Sequence, residues 1–156
     1  MKIMDFLSER AVACQLTAKD KRGAIEELTR LLGRSGDIKD KDVATLQEVL
    51  LNREALGSTG IGQGVAIPHG KSDCVTKLVA AFGVSRAGVN FDSLDGEPVT
   101  LFFLLVAPED SAGPHLKALA RISRLLKDKH FRNSLRAACD EKTLIKIIRE
   151  EDERRH

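Results

Sequence analysis

The sequence predicts an α/β fold, a mixed β-sheet with helices on both faces. Three observations predict it. Val99-Thr-Leu-Phe-Phe-Leu-Leu-Val106 is apolar at nearly every position, as a central strand covered on both faces must be. Leu78–Val84 reads as a second strand, and the connection between the two holds Asp95-Gly96, a turn signal. That connection is too short and too aperiodic for a parallel crossover, so the pair should be antiparallel. Segments of helical periodicity stand before and after the pair.

Taken in chain order, Thr17-Ala-Lys-Asp20 resembles a capping box with Asp in the acidic position. Ile25, Leu28, Leu31 and Leu32 then repeat at helical spacing until Gly33. A second helix is expected from about Asp40 to Leu56, with Val43, Leu46, Val49 and Leu50 inward and Gly57 as its C-cap. A glycine-rich loop and a short Val65–Ile67 strand follow. Beyond Pro108 the chain reads as helical. One helix opens at Gly113-Pro114-His115 with Leu116, Leu119, Ile122 and Leu126 inward. A short helix carries Phe131 and Leu135, and a last one after Asp140 buries Leu144, Ile145 and Ile148. Residues 150–156 are expected to be a frayed tail, and residues 1–156 a single domain.

Composition narrows the function classes. A hydrophobic share of 42% with 31% charged residues describes a soluble globular chain. The net charge of +2 sets up no strong field toward nucleic acid or a membrane surface. With aromatics at 4% and no Trp or Tyr, base stacking is also disfavoured. No apolar run reaches bilayer length, and the first ten residues lack a signal core. Cys14, Cys74 and Cys139 form neither a CxxC pair nor a zinc spacing. A reduced, cytoplasmic protein is therefore expected.

The segment Leu56-Gly-Ser-Thr-Gly-Ile-Gly-Gln-Gly-Val-Ala-Ile-Pro-His-Gly70 concentrates the chemistry. Its glycines let the backbone turn sharply and bring bare amides close to a ligand. Pro68 biases Ile67 toward extended geometry, and Gly70 leaves the histidine ring uncrowded. His69 should thus stand at a strand end beside backbone donors, an arrangement suited to taking up a phosphoryl group. The plainer alternative is a structural histidine bonded to a neighbouring loop. Gly70-Lys-Ser72 echoes the end of a P-loop, but the glycine required five places earlier is Val65. No His, Asp and Glu spacing makes a metal ligand set.

Gly60-x-Gly-x-Gly-Val-Ala-Ile-Pro-His-Gly70 resembles the active-site segment of the fructose/mannitol type EIIA domain of the bacterial sugar phosphotransferase system. The resemblance extends to Leu51-Asn-Arg-Glu-x-Leu-Gly-Ser-Thr59, Val89-Asn-Phe-Asp-x-Leu-Asp-Gly-x-Pro-Val99, Phe103–Pro108 and His115–Leu126. The wording around Leu56–Gly70 and His115–Leu126 is closer to the nitrogen-regulatory branch.

The resemblance implies that His69 is phosphorylated through Nε2. It implies that His115 lies beside it and helps position the phosphoryl group, and that Arg53 neutralises phosphoryl oxygens. From the residues alone, His115 stands at a helix N-terminus, where unpaired amides disfavour an imidazolium. Arg53, near the end of the second helix, reads from the residues alone more readily as a basic residue complementing that helix's C-terminal dipole. Ser58, Thr59 and the Gly60 amide are weaker candidates for phosphate oxygens. His130 and His156 match nothing and are expected at the surface. The implied partner is a phosphocarrier, HPr or its nitrogen-branch relative. Phosphate would pass on to an EIIB domain, or its presence would control regulatory partners. No metal, cofactor, nucleic acid or membrane insertion is called for.

Overall fold

The sheet is built around β6 (Val99–Ala107), which in this computed structural model of residues 1–155 is buried everywhere except half-buried Thr100. β5 (Val79–Val89) runs antiparallel to it with Phe82 opposite Phe103, as the short connection requires. The strand order is β1 (Leu7–Ala13), β5, β6, β3 (Val65–Ala66), β2 (Gly60–Gly62), and β4 (His69–Lys71) also pairs with β6. β1 is parallel to β5, β3 and β4 are parallel to β6, and β2 is antiparallel to β3, so the sheet is mixed.

Alternation along β6 sends its side chains to opposite layers. Leu101, Phe103 and Leu105 join the layer of α3 (Ala112–Leu126), α4 (Lys129–Ala137) and α5 (Glu141–Arg154). Phe102, Leu104 and Val106 join the layer of α1 (Lys21–Ser35) and α2 (Val43–Leu56). Each fully buried Leu or Phe contributes about 1.5–3 kcal/mol of transfer free energy, an upper bound against a compact unfolded chain. No helix among the described residues is long and apolar enough to cross a membrane.

Several boundaries differ from the sequence expectation. β1 was not expected as a strand. Its register shifts between Leu7 and Val12, so its buried residues lose the period of two that marks a strand. α1 is capped by Asp20, whose carboxylate accepts the Gly23 amide at 2.7 Å. The Thr17 amide and hydroxyl bond Glu27 instead, so Thr17 is not the cap. The helix runs past Gly33 to Ser35 and ends on Gly36, where a φ of 87° favours glycine.

Leu116 is 67% exposed rather than inward, because His115, Ala118, Ile122 and Leu125 take the buried stripe of α3. The expected frayed tail is also corrected. α5 continues to Arg154, with Glu151 and Asp152 buried. Asp152 accepts from the Ile3 amide and from Arg121, which ties the end of the helix to the start of the chain. His130 is exposed as expected, and His156 lies outside the described residues.

Candidate active site

β3 and β4 run along β6 in one register, Val65 opposite Leu101 and His69 opposite Leu105. They would be one strand but for Pro68, which has no N–H to give the ladder. Its carbonyl still accepts the Leu105 amide at 2.9 Å. His69 therefore opens β4 rather than closing the strand before it. Its Nδ1 lies 2.8 Å from the Ile67 carbonyl oxygen. A carbonyl can only accept, so Nδ1 carries the proton, and in the neutral ring Nε2 is the nitrogen with the lone pair. His69 as a whole is half-buried.

His115 comes from α3 on the same side of the sheet. The two rings lie edge to face, 5.6 Å between centroids at 69°. The helix starts at Ala112, so His115 is its fourth residue, and its amide already donates to the Ser111 carbonyl at 3.2 Å. It is thus inside the hydrogen-bonded ladder, not among the unpaired amides. The ring is only 6% exposed, and its Nε2 has no hydrogen-bond partner among the described residues. Burial, then the His69 and Lys71 charges, hold the imidazole below its ordinary value of 6.5. At neutral pH the ring is uncharged and can offer one N–H to an anion.

Lys71 was not singled out from the sequence. It stands two residues beyond His69 on β4 and so lines the same face of the strand, with its side chain exposed. Period-two spacing from His69 was the signal that could have found it.

Arg53 is half-buried in the last turn of α2 and donates to the Gly57 carbonyl at 2.7 Å. In this arrangement it caps the helix end, with guanidinium donors to spare. α2 packs on β4 at Gly70, where an added methyl would come within 3.3 Å of Val49 Cγ1 and 3.4 Å of Leu50 Cδ2. Gly70 thus serves helix packing more than room for the histidine ring. Arg53 lies one turn beyond Val49 on that face of α2.

The glycine loop holds itself together. The Ser58 hydroxyl donates to the Phe91 carbonyl and accepts the Gly60 amide at 3.0 Å. Thr59 gives both its amide, at 3.2 Å, and its hydroxyl to the Glu54 carboxylate. The Ser58 and Thr59 hydroxyls and the Thr59 and Gly60 amides, the weaker candidates for phosphate oxygens, are thus engaged within the fold. At the loop tip Gly62, Gln63 and Gly64 all have positive φ, and the Asp95 carboxylate accepts the Gln63 amide at 2.8 Å. The Gln63 amide, and after it the Glu97 amide at 3.0 Å, hold the Asp95 carboxyl below its usual range.

Glu54 itself escaped the sequence reading. It continues the inward run Leu46, Leu50 at a spacing of four, and a carboxylate on a buried helix face was the available clue. Lys21 at the start of α1 lies 3.4 Å from it.

The family described as "Phosphoenolpyruvate-dependent sugar phosphotransferase system, EIIA 2" matches residues 5–151. The chain is 39% identical over 148 residues to a Nitrogen regulatory protein of Bradyrhizobium diazoefficiens, covering 95% of each. It is also 39% identical over 152 residues to the "PTS system fructose-specific EIIABC component" of Bacillus subtilis. That match takes in 97% of this chain but only 24% of the relative. A crystal structure of Nitrogen Regulatory Protein IIA-Ntr from Neisseria meningitidis superposes with a TM-score of 0.85 at 36% identity, over 94% of this chain and 98% of that one.

Proposed function

This chain belongs to the EIIA 2 family of the phosphoenolpyruvate-dependent sugar phosphotransferase system, and on that premise we propose that it relays a phosphoryl group through His69 as a nitrogen-type regulatory EIIA. The observation that carries the reading is the His69–His115 pair. One ring has its Nδ1 proton committed to Ile67, and the other is buried with an unpartnered Nε2 at its edge.

A phosphocarrier protein, HPr or its nitrogen-branch relative, presents its phosphohistidine in line with His69 Nε2. The Nε2–phosphorus bond forms as the carrier's nitrogen–phosphorus bond breaks. The carrier's imidazole leaves neutral, with its proton on the other ring nitrogen. His69 keeps its Nδ1 proton on the Ile67 carbonyl throughout. Transfer between two imidazoles is close to balanced, so positioning and charge dispersal are what the protein must supply. His115 donates an N–H to a phosphoryl oxygen, and Lys71 adds a cation on the same face. Arg53 turns from the Gly57 carbonyl to the phosphoryl group. Ser58, Thr59 and Gly60 act here mainly by shaping the loop. No metal or bound cofactor takes part, and the relay runs in the cytoplasm as one domain.

The purified protein, given phosphoenolpyruvate, Enzyme I and the phosphocarrier, should gain one acid-labile, alkali-stable phosphate, and His69→Ala none. Undiminished labelling of that variant would refute the assignment. Relatedness to the fructose-specific component, at the same 39% identity, supports a second reading in which phosphate passes to an EIIB domain for sugar uptake. In the regulatory reading, phosphorylated and unphosphorylated forms must bind a partner with different affinity. A deletion strain that loses uptake of one sugar, without a broader phenotype, would decide for transport.

A further inference from the structure

The buried carboxylate of Glu54 belongs to a chain of contacts that ends on the His69 ring. Lys21 Nζ lies 3.4 Å from Glu54 and 3.2 Å from Asp92, and 5.0 Å above the Phe91 ring. The Glu54 side chain is 3% exposed, so its charge is balanced by Lys21 and by the two Thr59 donors rather than by water. The Glu54 carbonyl also accepts the Gly57 amide at 3.1 Å. One residue therefore grips the loop at both Gly57 and Thr59. Thr59 passes the hold on, because its carbonyl accepts the Ile67 amide at 3.0 Å. Ile67 then accepts the His69 Nδ1 proton at 2.8 Å.

We propose that Glu54, braced by Lys21, is a positioning residue for His69: through Thr59 and Ile67 it sets which ring nitrogen is protonated and where Nε2 points. This rests on the reading of His69 as the phosphoryl acceptor. A neutral imidazole has two tautomers, and the hydrogen bond at one nitrogen selects between them. Only the Nδ1-protonated form leaves Nε2 with a lone pair for attack. If the Ile67 carbonyl drifts away, part of the population places its proton on Nε2 and cannot react there. The remainder attacks from a looser ring, and misplacement of about 1 Å can cost on the order of a hundredfold in rate.

The test separates this role from simple bracing of the fold. Long-range proton–nitrogen spectra of the parent at mildly alkaline pH should show His69 protonated at Nδ1. Glu54→Ala should mix the two tautomers and slow transfer to His69 about ten- to a hundredfold, with affinity for the carrier unchanged. Glu54→Gln keeps one acceptor oxygen and should recover most of the rate. Thr59→Val keeps the backbone but loses the hydroxyl, and should shift both readouts in the same direction by a smaller amount. Should Glu54→Ala not fold, Thr59→Val and Lys21→Met carry the measurement. Folded variants with the parental tautomer ratio and rate, whatever their melting temperature, overturn the proposal. If the parent itself takes no phosphate, the acceptor reading fails instead, and the tautomer spectra still decide whether Glu54 orders the ring.

Discussion

Replacing Gly60 by Ala tests whether the glycine loop is closed by packing against the β5–β6 connection. A methyl at position 60 would overlap Ser93 Oγ and come within 3.1 Å of Ser93 Cα and Cβ. The φ of Gly60 is not positive, so the backbone itself could hold an alanine. The cost is therefore steric. Part of the obstruction is backbone, so a side-chain rotation cannot relieve it. Overpacking of this kind costs about 1–3 kcal/mol. Displacing the Ser93 segment also loosens the 3.3 Å bond from the Leu94 amide to the Gly60 carbonyl, about 0.5–1.5 kcal/mol. Losing glycine from the unfolded chain returns about 0.4–1 kcal/mol. The net is a destabilisation of about 1–3 kcal/mol, or a melting temperature lower by about 3–10 °C for a chain of this size.

Urea denaturation at constant m and a thermal melt would measure it. Ser93 Oγ is buried without a hydrogen-bond partner among the described residues, so Ser93→Ala alone should be neutral or mildly stabilising. In that background Gly60→Ala should cost less, because one of its three close contacts is gone. Gly60→Ala as stable as the parent, or a cost undiminished by Ser93→Ala, would refute the packing argument.

Three further outcomes are expected. Because the folded His115 titrates below 6.5, the unfolded chain binds the extra proton first as pH falls. The stability tied to His115 is therefore complete above about 6.5 and lost as pH drops from there through the lowered folded value, and His115→Gln should flatten that slope in melts across pH. Arg53→Ala and His115→Ala should stay folded and slow phosphoryl transfer by on the order of ten- to a thousandfold, with parental rates in both variants counting against the proposed site. Leu116 is exposed beside His115, so Leu116→Ser should shift stability by less than about 0.5 kcal/mol. It should weaken carrier binding by about three- to tenfold, measured by titration.

What the chain could declare by itself was whatever depends on neighbours along the chain. The apolar run of β6 made it the central strand, and the turn-bearing connection made its pairing with β5 antiparallel. The glycines ahead of Pro68-His69 announced a special loop beside a special histidine, and the wording of those segments marked the family. The tertiary structure decided the partner of each polar atom, because a hydrogen bond forms with whatever another element brings near. Arg53 reads from sequence as either a phosphate fork or a helix cap, and the fold places its donor on Gly57. Thr59 and Ser58 read as weaker candidates for phosphate oxygens, and the fold turns their hydroxyls onto Glu54 and Phe91. Leu116 fits a helical stripe as well as His115 does, but only one can face the sheet. The fold buried the imidazole, whose polar edge then stands unpartnered next to His69. Periodicity shows that a helix has an inner face, and the partner elements of that face choose which residues occupy it.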